Sequence, residues 1–249
     1  SAGAYSVLVT GSGGSVTSAT ANLAVVDATD FGHLFNLSIN TTLSSGGNFT
    51  MGYVVGGAGA KPLVVRAVGP GLAAFGVPGT LVDPKFELYS GGTLTGANDN
   101  WGGGAALAAA FNAVGAFGLQ PASLDAAALA NVAAPSNGST VVVSGGAGAS
   151  GLVLAEIYDA SPAFAVGTPR LINVSVNKAM TAGEKLIAGF VISGSTARTV
   201  LVRVVGPGLA AFGVGGAMVD PSLALYSGSS KIAENDNWGG DAQVAAAFT

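Results

Sequence analysis

No cysteine occurs in the 249 residues. That excludes a disulfide framework, a thiolate nucleophile, zinc-thiolate and iron-sulfur sites, and covalently attached c-type haem. Charge is scarce too, with 9 Lys and Arg and 13 Asp and Glu, 9% of the chain, where average proteins carry roughly a quarter. At a net charge of −4, so few cations cannot neutralise a run of phosphates, and nucleic acid is excluded as a partner. No run is long and apolar enough for a membrane span: the stretch from Gly104 to Leu119 is interrupted by Asn112 and falls short of about 20 residues. Nor does a basic segment followed by an apolar one open the chain, which therefore reads as a mature or excised segment. What is present is 49% hydrophobic residues and 40 Gly. The apolar residues fall in alternating runs that can bury a core, so the chain is folded, and its length allows one or two domains. A surface this poor in charge points to concealment by contacts with other copies.

An internal repeat organises the chain. Val64 to Gly103 reads VVRAVGPGLAAFGVPGTLVDPKFELYSGGTLTGANDNWGG, and Leu201 to Gly240 reads LVRVVGPGLAAFGVGGAMVDPSLALYSGSSKIAENDNWGG. The offset of 137 residues carries His33 to Phe111 onto Arg170 to Phe248 without a gap, and about half of the paired positions are identical, the mark of a duplicated unit. The expected organisation is an orphan β-hairpin over 1–30, a complete repeat over 31–169 and a partial second repeat over 170–249. The second copy holds no counterpart of Ala113 to Pro169. The opening AYSVLVTGSGGSVTSATANLAVV, Ala4 to Val26, is two alternating runs around a Gly/Ser turn with no evident sheet to join. Both ends are expected to expose sheet edges.

Within the first repeat the apolar period is two. Phe35, Leu37 and Ile39 alternate with polar residues, as do Phe49, Met51, Tyr53 and Val55. Ile172, Val174 and Val176, then Leu186, Phe190 and Ile192, repeat the pattern. Further short strands are expected over Pro62–Val68, Phe86–Tyr89, Ser139–Ser144 and Gly151–Tyr158, separated by Gly, Pro, Asn and Asp clusters. Leu107, Phe111 and Val114 have helical spacing, and Ser123 is placed to cap a second short helix through Leu129. These features predict a mainly β fold of tandem, jelly-roll-like β-sandwich repeats with a short helical insertion.

Few residues carry chemistry. The loop VGPGLAAFGV, Val68 to Val77, lacks a Walker lysine and the G-x-G-x-x-G spacing. It reads as a tight turn whose Leu72 and Phe75 plug the core. Asn98, Asp99 and Asn100, repeated as Asn235, Asp236 and Asn237 and joined by Asp83 or Asp220, offer the oxygen ligands that Ca²⁺ prefers. The competing reading is an Asx-turn network with Trp101 packed on the sandwich. Arg66 and Arg203, mid-strand among apolar residues, need carboxylate partners, with Asp83 or Asp99 and Asp220 or Asp236 as the candidates. The single histidine, His33, stands at a strand start where exposure is usual, and its counterpart is Arg170, so a hydrolase triad repeated in both copies is excluded. Asp83 with Asp99 could form a glycosidase pair, but 7% aromatics suggest no sugar cleft. No catalytic residue and no resident cofactor is expected. Asn36, Asn40, Asn48, Asn137 and Asn173 each begin an N-x-Ser/Thr triplet, a glycan acceptor only in a suitable host.

The combination RLINVS (Arg170 to Ser175), LVRVVGPGLAAFGV, DPSLALYSG (Asp220 to Gly228) and ENDNWGG resembles repeats of large secreted or surface-attached bacterial proteins, over residues 33–249. The LYSG and NDNW portions, with STVVVSGGAGASGLVLAEIYD, resemble more distantly the bacterial pre-peptidase C-terminal β-sandwich, an accessory domain. The opening hairpin is similar to the last two strands of a bacterial immunoglobulin-like domain, with AGAYSVLVT as the tyrosine-corner strand. It is equally similar to the repeat's own closing strands, since Tyr5–Val9 and Asp27-Ala28 echo Ser139–Val143 and Asp159-Ala160. Neither resemblance supplies catalytic residues.

The expected function is a non-enzymatic structural subunit, or segment, of an extracellular fibre or surface assembly, polymerising head to tail by β-strand complementation. Its partners are copies of itself or adjoining repeats. The alternative is a Ca²⁺- or carbohydrate-binding adhesin or accessory module of a large secreted protein, with glycans as ligands.

Overall fold

A computed structural model describes residues 2–25, 31–136 and 138–247. The chain divides after residue 197 into two compact units. The first begins with a ribbon. β1 (Gly3–Tyr5) and β2 (Leu8–Gly11) run out, β3 (Gly14–Thr17) and β4 (Ala21–Leu23) run back, and β1 pairs β4 while β2 pairs β3, both antiparallel. Every described residue of this ribbon is exposed, Tyr5, Val7, Val9 and Leu23 included. Asp27 and Ala28 lie outside the described residues.

The first repeat supplies β5 (His33–Leu43), β6 (Asn48–Gly56), β7 (Gly59–Val68), β8 (Pro84–Ser90), β9 (Thr93–Asn98), helix α1 (Ala105–Ala113), β10 (Ala126–Ala134), β11 (Ser139–Gly145) and β12 (Gly151–Asp159). Two strands of the second repeat follow, β13 (Arg170–Asn177) and β14 (Ile187–Ser193). All ten strands join one sheet in the order β10-β7-β12-β5-β13-β6-β11-β8-β9, with β14 beside β5. The fold is therefore mainly β. The sheet curls until its end strands meet, and the carboxamide oxygen of Asn98 on β9 accepts the Ala127 N–H of β10 at 2.8 Å, so the sheet approaches a barrel.

Period-two alternation builds the interior. Ile39, Phe49, Met51, Val55, Leu63, Val65, Phe86, Val141, Val143, Val153 and Ile157 converge from six strands into one core, as residues i and i+2 of a strand must. A second, smaller core lies on the opposite face of β7 and β10. There Val64, Val68 and Ala127 are covered by Leu72, Trp101, Phe111, Val114 and Leu119. The apolar face of α1 expected from Leu107, Phe111 and Val114 is thus spent on this outer layer.

Two expectations are corrected. Residues 126–134 form β10, not a helix capped by Ser123; the Ser123 hydroxyl instead donates to Asp125. Alanine is the best intrinsic helix former, but tertiary pairing overrides propensity, and here the ladder from Ala126↔Ala67 to Ala134↔Gly59 does so. Phe75 does not plug the core but is 61% exposed, touching Phe117 edge-on, while Leu72 is buried as expected. The turn itself, a 3₁₀ segment over Pro70–Phe75, depends on Gly69. A Cβ there would lie 1.9 Å from the Leu81 carbonyl oxygen.

The second unit contains a 3₁₀ segment over Pro207–Phe212, the hairpin β15 (Leu223–Ser227) with β16 (Ser230–Asn235), and α2 (Ala242–Ala246). No helix among the described residues is long and apolar enough to cross a membrane.

Candidate functional site

In the first repeat the residues expected to offer metal ligands flank one end of the β8–β9 hairpin, Asp83 just before β8 and Asn98, Asp99 and Asn100 at the end of β9. Asp83 faces the loop after β11, where its backbone carbonyl accepts the Gly146 N–H. Asn98 uses its side chain twice, accepting from Ala127 and donating to the Asn100 carbonyl at 3.1 Å. Asp99 and Asn100 are exposed. In the second repeat Asn235 donates to the Asn237 carbonyl at 3.2 Å, the same Asx turn, and Asn237 donates to Asp236. Asp220 is exposed. Among the described residues no three His, Cys, Asp or Glu side chains gather as metal ligands. Trp101 anchors the turn, its indole N–H donating to the Gln120 carbonyl at 2.9 Å.

Arg66 is fully buried, and its partner is neither Asp83 nor Asp99 but Glu156, directly opposite on β12. Nε and Nη2 both donate to one carboxylate oxygen, at 2.8 and 2.6 Å, and Nη1 donates to the Phe117 carbonyl. The rings of Phe111 and Phe117 flank the guanidinium at 4.9 and 4.4 Å. Tyr158 donates to the other carboxylate oxygen, and burial together with that negative charge pushes its phenol well above the ordinary tyrosine range. A second buried pair, Lys61 with Asp159, had no counterpart in the sequence reading. Burial lowers the Lys61 pKa and Asp159 opposes that shift. His33 is buried, not exposed, stacked on Phe164 at 3.6 Å. The Arg66–Glu156 and Lys61–Asp159 pairs tie β7 to β12, whereas His33, Asp159, Ser161 and Ser193 share the lining of one cavity. Of the glycan triplets, Asn36 is buried, donating to the Ile157 carbonyl, whereas Asn48 and Asn173 are exposed; Asn137 lies outside the described residues.

The most specific constellation is the junction between the repeats. β5 and β6 are consecutive yet do not pair with each other. Instead β5 takes β14, the duplicate of β6, and β6 takes β13, the duplicate of β5. The registers are identical. Leu37↔Phe190 on one side matches Val174↔Tyr53 on the other, and Ile39↔Ala188 matches Val176↔Met51. Both ladders skip one residue at the same place, Phe35 in β5 and Ile172 in β13, 137 positions apart. Leu34 pairs directly with Leu171, its own duplicate, so the local dyad passes between them.

Close approach at this junction requires glycine. A Cβ on Gly52 would lie 2.5 Å from the Ser175 hydroxyl oxygen, and one on Gly189 would lie 2.8 Å from that of Ser38. The hydroxyls donate to the facing glycine carbonyls at 3.4 and 3.5 Å. The pattern was legible in principle, because Ser38/Ser175 and Gly52/Gly189 are kept between the copies. What hid it is that sequence periodicity does not say which strand a strand pairs with.

No family model, no curated protein and no solved structure matches this chain. The geometry of the junction is therefore the main support for any reading of function.

Proposed function

We propose that the chain is a structural subunit, or a segment, of an extracellular fibre or surface assembly, built from β-sandwich repeats and polymerising by β-strand complementation. The observation that carries this reading is the junction itself: the second repeat reaches the first by adding one strand beside β5 and another beside β6, in the same register. Main-chain pairing of this kind gives adhesion without a charged interface, which accords with a chain only 9% charged.

A two-fold junction closes on itself and cannot propagate. A fibre needs a second, unlike contact, and the exposed ribbon over residues 3–23 is the segment assigned to it here, its strands among the described residues being paired with each other. The resemblance to repeats of large secreted bacterial proteins points the same way. Deleting residues 1–28 is expected to give short soluble species in negative-stain micrographs where the intact chain gives fibres. Fibres of undiminished length from the deletion would refute the ribbon's role.

A further inference from the structure

The duplication specifies what the outward edges of β13 and β14 accept. In the first repeat, β5 carries β12 on the edge away from β14, and β6 carries β11 on the edge away from β13. Their duplicates lack these neighbours among the described residues. Residues 173–177 of β13 have no strand on the side away from β6, and β14 has none on the side away from β5. Leu186, Val174 and Val176 already pack partly against the core, so its inner face continues to these edges, and Phe190 stays 36% exposed. Asn173 is likewise exposed, where its duplicate Asn36 donates to a carbonyl of β12.

Resting on the fibre reading above, we infer that these two edges are filled by residues 5–25 of a second copy of this chain, with the ribbon opened and its two runs shared between the edges. The run Tyr5–Thr10 would take the place of β11 beside β14, and the run Ala21–Val25 the place of β12 beside β13. Register specifies the pairing. Tyr5–Val9 echoes Ser139–Val143, and transferring the pairs Ser139↔Tyr53, Val141↔Met51 and Val143↔Phe49 sets Tyr5 opposite Phe190, Val7 opposite Ala188 and Val9 opposite Leu186. Transferring Ile157↔Leu37 and Ala155↔Ile39 sets Val25 opposite Val174 and Leu23 opposite Val176.

Every inward position then meets an apolar one. A slip of one residue would turn Ser6 and Leu8 inward in their place. Tyr5, Val7, Val9, Leu23 and Val25, now exposed, are the side chains this arrangement buries. The departure from the first repeat is Ala24 at the Glu156 position, so the donor does not reproduce the buried carboxylate. Because the donated segment and the accepting edges are different surfaces, the contact is head to tail and propagates.

The absence of cysteine makes the test direct. Cα atoms of directly opposed antiparallel residues lie about 4.5–5.5 Å apart, within disulfide range. Full-length chains carrying V7C and A188C, mixed and oxidised, are expected to cross-link, as are V25C with V174C, and the double variant V7C/A188C should give a ladder on a non-reducing denaturing gel. L8C with A188C, facing opposite sides, should cross-link about tenfold less. Fibres that form normally while V7C and A188C stay unlinked, or link no better than L8C and A188C, overturn this pairing and leave the fibre reading standing. Intact material that forms no fibres overturns the fibre reading and the pairing with it. A native mass far above 23.9 kDa, with no intermolecular link, assigns the edges to strands of the same polypeptide and refutes the second copy as donor.

Discussion

Replacing Glu156 by glutamine tests whether the buried arginine depends on its neighbour. Arg66 has no exposed surface, and its charge is met by two donations to one carboxylate oxygen, one to the Phe117 carbonyl, and two aromatic faces. Glutamine keeps the shape and an oxygen that can accept from the guanidinium, but removes the negative charge that offsets the buried cation. Breaking one member of a buried pair costs about 3–5 kcal/mol, while each ring contributes about 2 kcal/mol when desolvated. Against a total stability of about 5–15 kcal/mol, that is a large loss. With a urea slope of about 2 kcal/mol per molar, the midpoint should fall by about 2 M. The chain has two tryptophans, so a Trp238→Phe background leaves Trp101, packed against Phe111 in the core that Arg66 borders, as the single reporter. The double variant R66M/E156L, which removes both charges, should recover to within about 1.5 kcal/mol of the parent. A shift below about 0.5 M for E156Q alone would refute the reasoning, because Arg66 would then be held by something other than Glu156.

Further outcomes follow from single contacts. Gly69→Ala must displace backbone, not a side chain, and is expected to cost about 3 kcal/mol or more by thermal melting. Asn98→Ala removes the acceptor that ties β9 to β10 and should cost about 1–2 kcal/mol, with amide exchange accelerated first at Ala127. The raised phenol of Tyr158 means that, above pH 10, the unfolded chain loses this proton while the folded chain keeps it. The unfolded state then binds fewer protons, so stability falls as pH rises from 10 towards the folded value; Tyr158→Phe should flatten that part of the profile in urea melts. Calorimetric titration with Ca²⁺ is expected to give no saturable heat and no difference for Asp99→Ala, and a saturable signal lost in that variant would favour the binding-module alternative.

The strands of the first repeat were largely legible, because each buries alternate residues on one face, and Phe35 to Ile39 or Phe49 to Val55 announces that pattern directly. β10 was not, since Ala126 to Ala134 carries no alternation in residue type that distinguishes its two faces. The partner of Arg66 was missed for a related reason. Loop aspartates were considered, yet the carboxylate opposite in the sheet, Glu156, is ninety residues away in sequence and adjacent only once β7 and β12 pair. His33 was misjudged because Phe164, which covers it, sits in a segment without periodicity.

The same residue types end in opposite environments in the two repeats, and this difference bears on what the junction does. Trp101 is 5% exposed and its duplicate Trp238 is 56% exposed; Leu63 to Val68 are buried, and their duplicates Val200 to Val205 are exposed. Local sequence does not account for this, because both copies carry VRxVGPGLAAFGV and NDNWGG. Burial in the first repeat comes from β10, β11, β12 and the covering layer of Phe111, Val114 and Leu119. The second repeat's own unit, over residues 198–249, shows only the β15–β16 hairpin as paired strand among its described residues. Apolar burial stabilises by about 25 cal/mol per Å², so a set of valines and a tryptophan left half in water holds several kcal/mol in reserve for whatever covers it. A chain whose two repeats were each self-sufficient would have no such reserve. In this one the exposed surface is the part that its duplicate shows how to bury.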